Sequence, residues 1–243
     1  MALHKTILRR ARKSIRRLGV DLVRYPQESL NSCVVRLLEA HRVDLVLDVG
    51  ANSGQYASML RRLGYQGRMV SFEPLQEPFR RLRQTAANDP LWTVISCAVG
   101  DTSMSVTVNV AGNSGASSSV LPMLPRHVKA APHSRYVGRE EVQQHRLDEM
   151  WSEFVRTGDR VFLKMDVQGY ERNVLRGAGE RLDDCTGLQL EASLVPLYDG
   201  GMLYREALDL VEKHDFSLMS VLPGFHNPGT GQMYQCDLVC FRE

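Results

Sequence analysis

Short apolar runs that alternate with amphipathic stretches set the narrowest limit on what this chain can fold into. Val43 to Tyr56 reads VDLVLDVGANSGQY, an apolar run that enters a glycine turn. The same cycle returns along the chain. Strands are expected over Leu45–Val49, Arg68–Glu73, Thr93–Val99, Val161–Asp166 and Leu188–Ala192. Helices are expected over Asn31–His41, Gln55–Leu63, Glu77–Ala87, Leu147–Val155, Glu171–Leu182 and Tyr204–His214. Strands interleaved with helices predict an α/β fold, a parallel sheet with helices on both faces. A short β segment is expected over Ser105–Val110, and Phe216–Leu222 and Gln235–Phe241 close the chain as a hairpin-like pair, which makes the sheet mixed. Asn113–Glu141 is rich in Ser, Pro, Gly and His and lacks apolar periodicity, so a long loop is expected there, with 112–146 as a lid or acceptor loop. The domain boundaries that follow are a helical extension over 1–42 and one domain over 43–243.

Length and composition fit that picture. The chain has 243 residues, 43% hydrophobic and 24% charged, enough for one α/β domain with a packed core. The net charge of +2 hides an asymmetry: residues 1–24 hold eight Lys or Arg and one acid, and the remainder is mildly acidic. Ile7, Leu8, Ala11, Ile15, Leu18 and Leu22 fall on one helical face of that basic arm. Such an arm can pack on the domain or on a second subunit, lie on an anionic membrane, or bind nucleic acid. The acidic body argues against nucleic acid. Five cysteines without a C-x-x-C point to free thiols in a reducing compartment. The basic start lacks an apolar signal-peptide core, and no apolar run approaches membrane-span length. The expectation is a cytoplasmic protein, with residues 1–24 as a candidate peripheral contact at the inner membrane face.

The loop after the first strand spaces Asp48, Gly50, Asn52 and Gly54 two apart. A dinucleotide turn needs G-x-G-x-x-G to seat a pyrophosphate. Here the middle glycine is missing, and no P-loop pattern occurs either. Glu73, at the end of the next strand, lies 25 residues after Asp48 and suits the two hydroxyls of a ribose. An acid in the loop suits a cationic head. S-adenosylmethionine (SAM) meets both conditions, with Tyr56 over its methionine tail and Cys97 and Ala98 against its adenine. An NAD-linked oxidoreductase lacks its glycine fingerprint and a Tyr-x-x-x-Lys pair; a non-catalytic adenosyl-binding scaffold remains open.

VDLVLDVGANSGQYASMLRRLGYQGRMVSFEP resembles the opening of the FkbM family of SAM-dependent methyltransferases. LKMDVQGYERNVLRGA resembles its second motif, and QCDLVCF its last strand. The resemblance spans roughly Leu45 to Arg242. It implies the Rossmann-like class I methyltransferase sheet, seven strands with an antiparallel last one. It also implies transfer of a methyl group to a hydroxyl, often on a sugar of a glycolipid, polysaccharide or natural product.

Asp166 ends the fourth strand in FLKMDVQGYE, where enzymes acting on amines or bases often carry Asn/Asp-Pro-Pro-Tyr. Its absence favours an oxygen acceptor. A hydroxyl needs a base or a cation to become a nucleophile. Asp166 is the first candidate base, and His145 and His226 are the candidates among seven histidines, the others reading as arm, lid or surface residues. Asp166 and Glu191, on neighbouring strand ends, are also candidate ligands for Mg²⁺ or a similar hard cation. Lys164, two before Asp166, points to the same face and either holds Asp166 ionised or pairs elsewhere. Serines and Asn113 in NSGASSSV are placed to meet the acceptor or the adenine edge.

Overall fold

Side chains alternate between the two faces of a strand, so a sheet covered on both sides needs strands apolar on both. The computed structural model describes residues 30–242, and its central strands have this character. The strands are β1 (Leu45–Val49), β2 (Arg68–Phe72), β3 (Trp92–Ile95), β7 (Val161–Met165), β8 (Cys185–Ser193), β9 (Ser217–Pro223) and β10 (Gln235–Phe241), with β3 and β9 at the more exposed edges. They form one sheet in the order β3-β2-β1-β7-β8-β10-β9. β10 runs antiparallel to both its neighbours, whereas the other pairings are parallel. The mixed seven-stranded sheet is thus as expected.

Alternation sorts the core into two layers. Val46, Met69, Phe162 and Val239 face α1 (Leu30–Ala40), α2 (Gln55–Arg62) and α3 (Gln76–Ala86) through Val34, Leu38, Leu60 and Leu82. Leu47, Leu163, Leu190 and Leu238 face the other layer, α5 (Leu147–Phe154), α6 (Glu171–Ala178) and α7 (Tyr204–Lys213). Helix α1 is therefore part of the domain core, although it falls within the 1–42 extension. The basic segment 1–24 lies outside the described residues. No helix among the described residues is long and apolar enough to cross a membrane.

Two expected elements differ. The strand expected over Thr93–Val99 breaks after Ile95, and β4 (Ala98–Val99) joins a second sheet instead. The long loop expected over Asn113–Glu141 is structured. It contains α4 (Pro125–Ala130), a 3₁₀ turn over Pro132–Ser134 and most of β6 (Tyr136–His145). β6 pairs antiparallel with β5 (Met104–Ala111) and parallel with β4. Only Val142 and Gln144 of β6 are buried. A hairpin arm with most of its side chains in water carries no apolar period of two, which is why its pattern reads as loop.

The first helical layer also covers a polar stripe. Strand register places Ser71, Asp48, Lys164 and Gln189 side by side across β2, β1, β7 and β8. Two residues further on, at the carboxyl ends, come Glu73, Gly50, Asp166 and Glu191, with Asp237 of β10 opposite Glu191. Gly50 is the point where two strand ends close on each other. Its φ is +78°, and a Cβ there would sit 2.0 Å from the carbonyl oxygen of Asp166. Gly50→Ala is accordingly expected to lower stability by more than about 2 kcal/mol, since strain and overlap act together; urea unfolding followed by circular dichroism measures it.

Candidate functional site

The carboxyl-terminal ends of β1, β2, β7 and β8 surround a cavity of about 340 Å³, and the arm closes one wall. Asn52, with φ +47°, turns its backbone N–H onto Glu73 Oε2 at 2.8 Å. The N–H of Leu75 meets Glu73 Oε1 at 2.9 Å. Each carboxylate oxygen keeps a lone pair for a further donor. Burial pushes the Glu73 carboxyl up to about 7, against the pull of those two N–H groups. Glu73 lines the cavity, as do Gly50, Asn52, Tyr56, Cys97 and Ala98. Gly54 lies just behind, with φ +89°, where it opens α2 and where a Cβ would sit 2.9 Å from the Trp92 ring.

Asp48 is placed differently from the expectation. It is fully buried beneath the turn and does not line the cavity. Its Oδ1 lies 2.9 Å from Lys164 Nζ, and its Oδ2 accepts the hydroxyl of Ser71 at 3.1 Å. Ser71 Oγ in turn accepts the indole N–H of Trp92 at 3.0 Å. Asp48 thus fixes the lysine rather than meeting a cationic ligand directly, because the turn lifts away from the sheet only at Gly50. Lys164 also donates to the Gly50 carbonyl at 3.2 Å, and its Nζ lies 5.3 Å from the Tyr56 ring centroid. Burial opposes its charge, but Asp48 and then Asp166 outweigh that, and its pKa is raised. Asp166 Oδ2 stands 3.9 Å from Nζ, so Lys164 pairs mainly with Asp48 and reaches Asp166 at longer range.

Asp166 lines the cavity, and its side chain is 39% exposed, whereas Asp48 and Glu73 are buried. Around it are Glu171, pushed up to about 7 by burial, and Asp237, pushed up to about 6 by burial and by Asp166. Glu191 is raised well above the usual carboxylate range by burial and then by Asp166. With Asp48 these five acids share one buried cation, so the site favours a positively charged ligand.

Asp166 and Glu191 do come together, but through an amide. Gln168 Nε2 donates to Asp166 Oδ1 at 2.8 Å and to Glu191 Oε2 at 2.7 Å. N–H protons hold the space that a shared cation would take, so the pair does not fit Mg²⁺. Among the described residues no group of three or more His, Cys, Asp or Glu side chains could hold a metal ion.

Neither histidine expected as a base lines the cavity. His145 sits at the end of β6, paired with Val99, and His226 is exposed in the β9–β10 loop, bridged to Met233. The fold places them at other elements because sequence position after a lid says nothing of which strand end it returns to. His127, which reads as a solvated lid residue, is buried against Tyr198 and Phe225, and burial pushes it down to about 4. The arm brings Gly115, Ser118 and Ser119 to the cavity wall. The cavity residues not singled out from the sequence include Gln168, Gln189 and Asp237. Gln189 lies two residues before Glu191 on β8, while Asp237 is brought opposite Glu191 only by the antiparallel pairing of β10 with β8.

Removing Lys164 leaves Asp48 buried without its cation. Lys164→Met is therefore expected to cost about 3–5 kcal/mol, and the double variant Asp48→Leu/Lys164→Met to recover much of it; a double-mutant cycle by urea denaturation provides the measurement.

Comparison with known proteins gives the site a family. The description "Methyltransferase FkbM domain" matches residues 48–218. The chain is 27% identical over 209 residues to the 2-O-methyltransferase NoeI of Sinorhizobium fredii, covering 83% of this chain and 84% of that protein. It is also similar to the magnesium protoporphyrin IX methyltransferase of Synechocystis with bound SAM, at 14% identity and a TM-score of 0.47, over 93% of this chain and 87% of that one. The precorrin-6y C5,15-methyltransferase of Geobacter metallireducens is similar at 12% identity and a TM-score of 0.46, over 89% of each chain. The family match covers more than half of the sequence and both strand-end acids, Glu73 and Asp166: the chain belongs to the FkbM family of SAM-dependent methyltransferases.

Proposed function

We propose that this enzyme transfers the methyl group of SAM to a hydroxyl of a sugar, carried by a glycolipid, a polysaccharide or a glycosylated natural product. The observation that carries the reading is the openness of Asp166. Asp48 and Glu171 are buried and engaged within the protein, whereas Asp166 faces the cavity with Oδ2 unclaimed by a hydrogen bond among the described residues. The name of the Sinorhizobium relative, a 2-O-methyltransferase, supports an oxygen acceptor.

In this reading Glu73 accepts the ribose hydroxyls, the small residues Cys97 and Ala98 lie against the adenine, and the acid-rich end holds the sulfonium. The acceptor oxygen attacks the methyl carbon in line with the C–S bond. That bond breaks with its electron pair to sulfur, and Asp166 takes the hydroxyl proton. Holding the oxygen about 3–3.5 Å from the methyl carbon supplies much of the rate, and the arm keeps water out. Lys164 Nζ, 3.9 Å from Asp166 Oδ2, helps to hold that carboxylate in place.

Two outcomes test these roles. Glu73→Ala loses hydrogen bonds to a charged acceptor and is expected to weaken SAM about 10- to 100-fold by calorimetric titration. Asp166→Ala is expected to keep SAM affinity within about threefold while methyl transfer to a panel of glycosides falls at least about 100-fold. Equal loss of cofactor binding in both variants would remove the division of roles.

The pH dependence of binding has a sign. Burial pushes free Glu73 up to about 7, and ribose hydroxyls favour the ionised form. SAM affinity is therefore expected to strengthen from about pH 6 to about pH 8, with proton release on binding near neutrality. Calorimetry in buffers of different ionisation enthalpy reads the released proton directly, and Glu73→Gln should abolish it.

A further inference from the structure

Gln168 is an unusual residue for its place. It adopts a left-handed backbone, φ +57°, which a non-glycine side chain enters at a cost. Its side chain is buried between two carboxylates, and all the polar capacity of the amide is directed. Nε2 donates to Asp166 Oδ1 at 2.8 Å and to Glu191 Oε2 at 2.7 Å. Oε1 accepts the hydroxyl of Tyr198 at 2.6 Å, which fixes which end of the amide is nitrogen. Its backbone carbonyl accepts the hydroxyl of Ser119 from the arm at 2.8 Å. Gln235 supplies a second donor to Glu191 Oε2, at 2.6 Å.

From this geometry we infer that Gln168 is a positioning residue for the methyl-transfer base. It binds Asp166 Oδ1 and leaves Oδ2 for the acceptor hydroxyl, and it separates the Asp166 and Glu191 carboxylates with a shared pair of N–H donors. Ser119 and Tyr198 hold its backbone and its amide, so the arm and the base are set by the same residue. The inference rests on the reading of Asp166 as the base, which it deepens.

The charged and titratable groups facing this pair are Lys164 of β7, Asp48 of β1, Asp237 of β10, Glu171 at the start of α6, and Tyr198. None of them except Tyr198 hydrogen-bonds Gln168. Replacing the amide with an apolar side chain of similar size removes both donors from the two carboxylates and leaves those surroundings in place. Like charges then face each other without a shared donor, and one of them binds a proton more readily.

The test needs no acceptor. Side-chain carboxyls of uniformly ¹³C-labelled protein, saturated with S-adenosylhomocysteine, are titrated by NMR, with Asp166→Asn and Glu191→Gln assigning the pair. In Gln168→Leu the midpoint of the pair is expected to move up by about one pH unit, a tenfold change in the protonation equilibrium. Affinity for S-adenosylhomocysteine should stay within about threefold by calorimetry, since Gln168 is placed at the base and not at the ribose. Tyr198→Phe frees the amide to flip and should shift the pair in the same direction by less. An unmoved pair in Gln168→Leu overturns the inference, as does an unmoved pair in Tyr198→Phe should the first variant fail to fold. Full methyl transfer by Asp166→Asn would instead overturn the role of Asp166 as base, with the carboxylate titration still deciding what Gln168 does.

Discussion

The ion pair between Asp48 and Lys164 is the constraint on which the site depends. It lies in the middle of the sheet on the side of the first helical layer, with both side chains almost wholly withdrawn from water. Two charges in such a place are tolerated because each is answered several times over. Asp48 has Lys164 and the Ser71 hydroxyl, itself held by the Trp92 indole. Lys164 has Asp48, the Gly50 carbonyl and the face of Tyr56. The result is a polar seam from β3 to β7 that fixes the ends of β1 and β7 relative to each other. The turn that carries Asn52 and the turn that carries Asp166 are then two parts of one rigid edge. A buried pair of this kind contributes little net stability, and its worth lies in the geometry it imposes.

Much of this was legible in the sequence, for a physical reason. A parallel sheet buried on both sides writes itself as repeated apolar runs, and β1 and β10 fall where those runs predict. The strand-end acids Glu73 and Asp166 were legible for the same reason, since a carboxylate that closes an apolar run has few structural uses. What the pattern hides is how polar side chains choose partners. Asp48 reads as a ligand for a cationic head, but a lysine at the same register on the adjacent strand claims it. That choice depends on β1 lying beside β7, a contact across more than a hundred residues. The arm escapes for the opposite reason: its strands are mostly in water and need no apolar alternation, so β6 is spelled YVGREEVQQH. The histidines show the limit of reasoning by elimination. A residue suited to proton transfer is useful only where the topology delivers it, and His145 and His226 are delivered elsewhere.

The arm and the sheet divide the work of building the cavity. The sheet supplies the charged floor, while the arm supplies small and polar wall residues held by hydrogen bonds to the loops below. Asn52 Nδ2 donates to the Ser114 carbonyl at 3.1 Å, and the Ser119 hydroxyl donates to the Gln168 carbonyl at 2.8 Å. These tethers join the arm to the two turns that carry Asn52 and Asp166, so the two sides of the cavity are not independent.

The imbalance of charge beneath the cavity has a consequence for turnover. Methyl transfer turns a sulfonium into a neutral thioether, so the cofactor leaves the reaction with one positive charge fewer than it brought. A sulfonium seated against Asp166, with Lys164 largely claimed by Asp48, would be attracted before the reaction more than after it. The chemistry would then discharge that part of the attraction itself, leaving the spent cofactor to contacts that do not depend on the sulfonium charge.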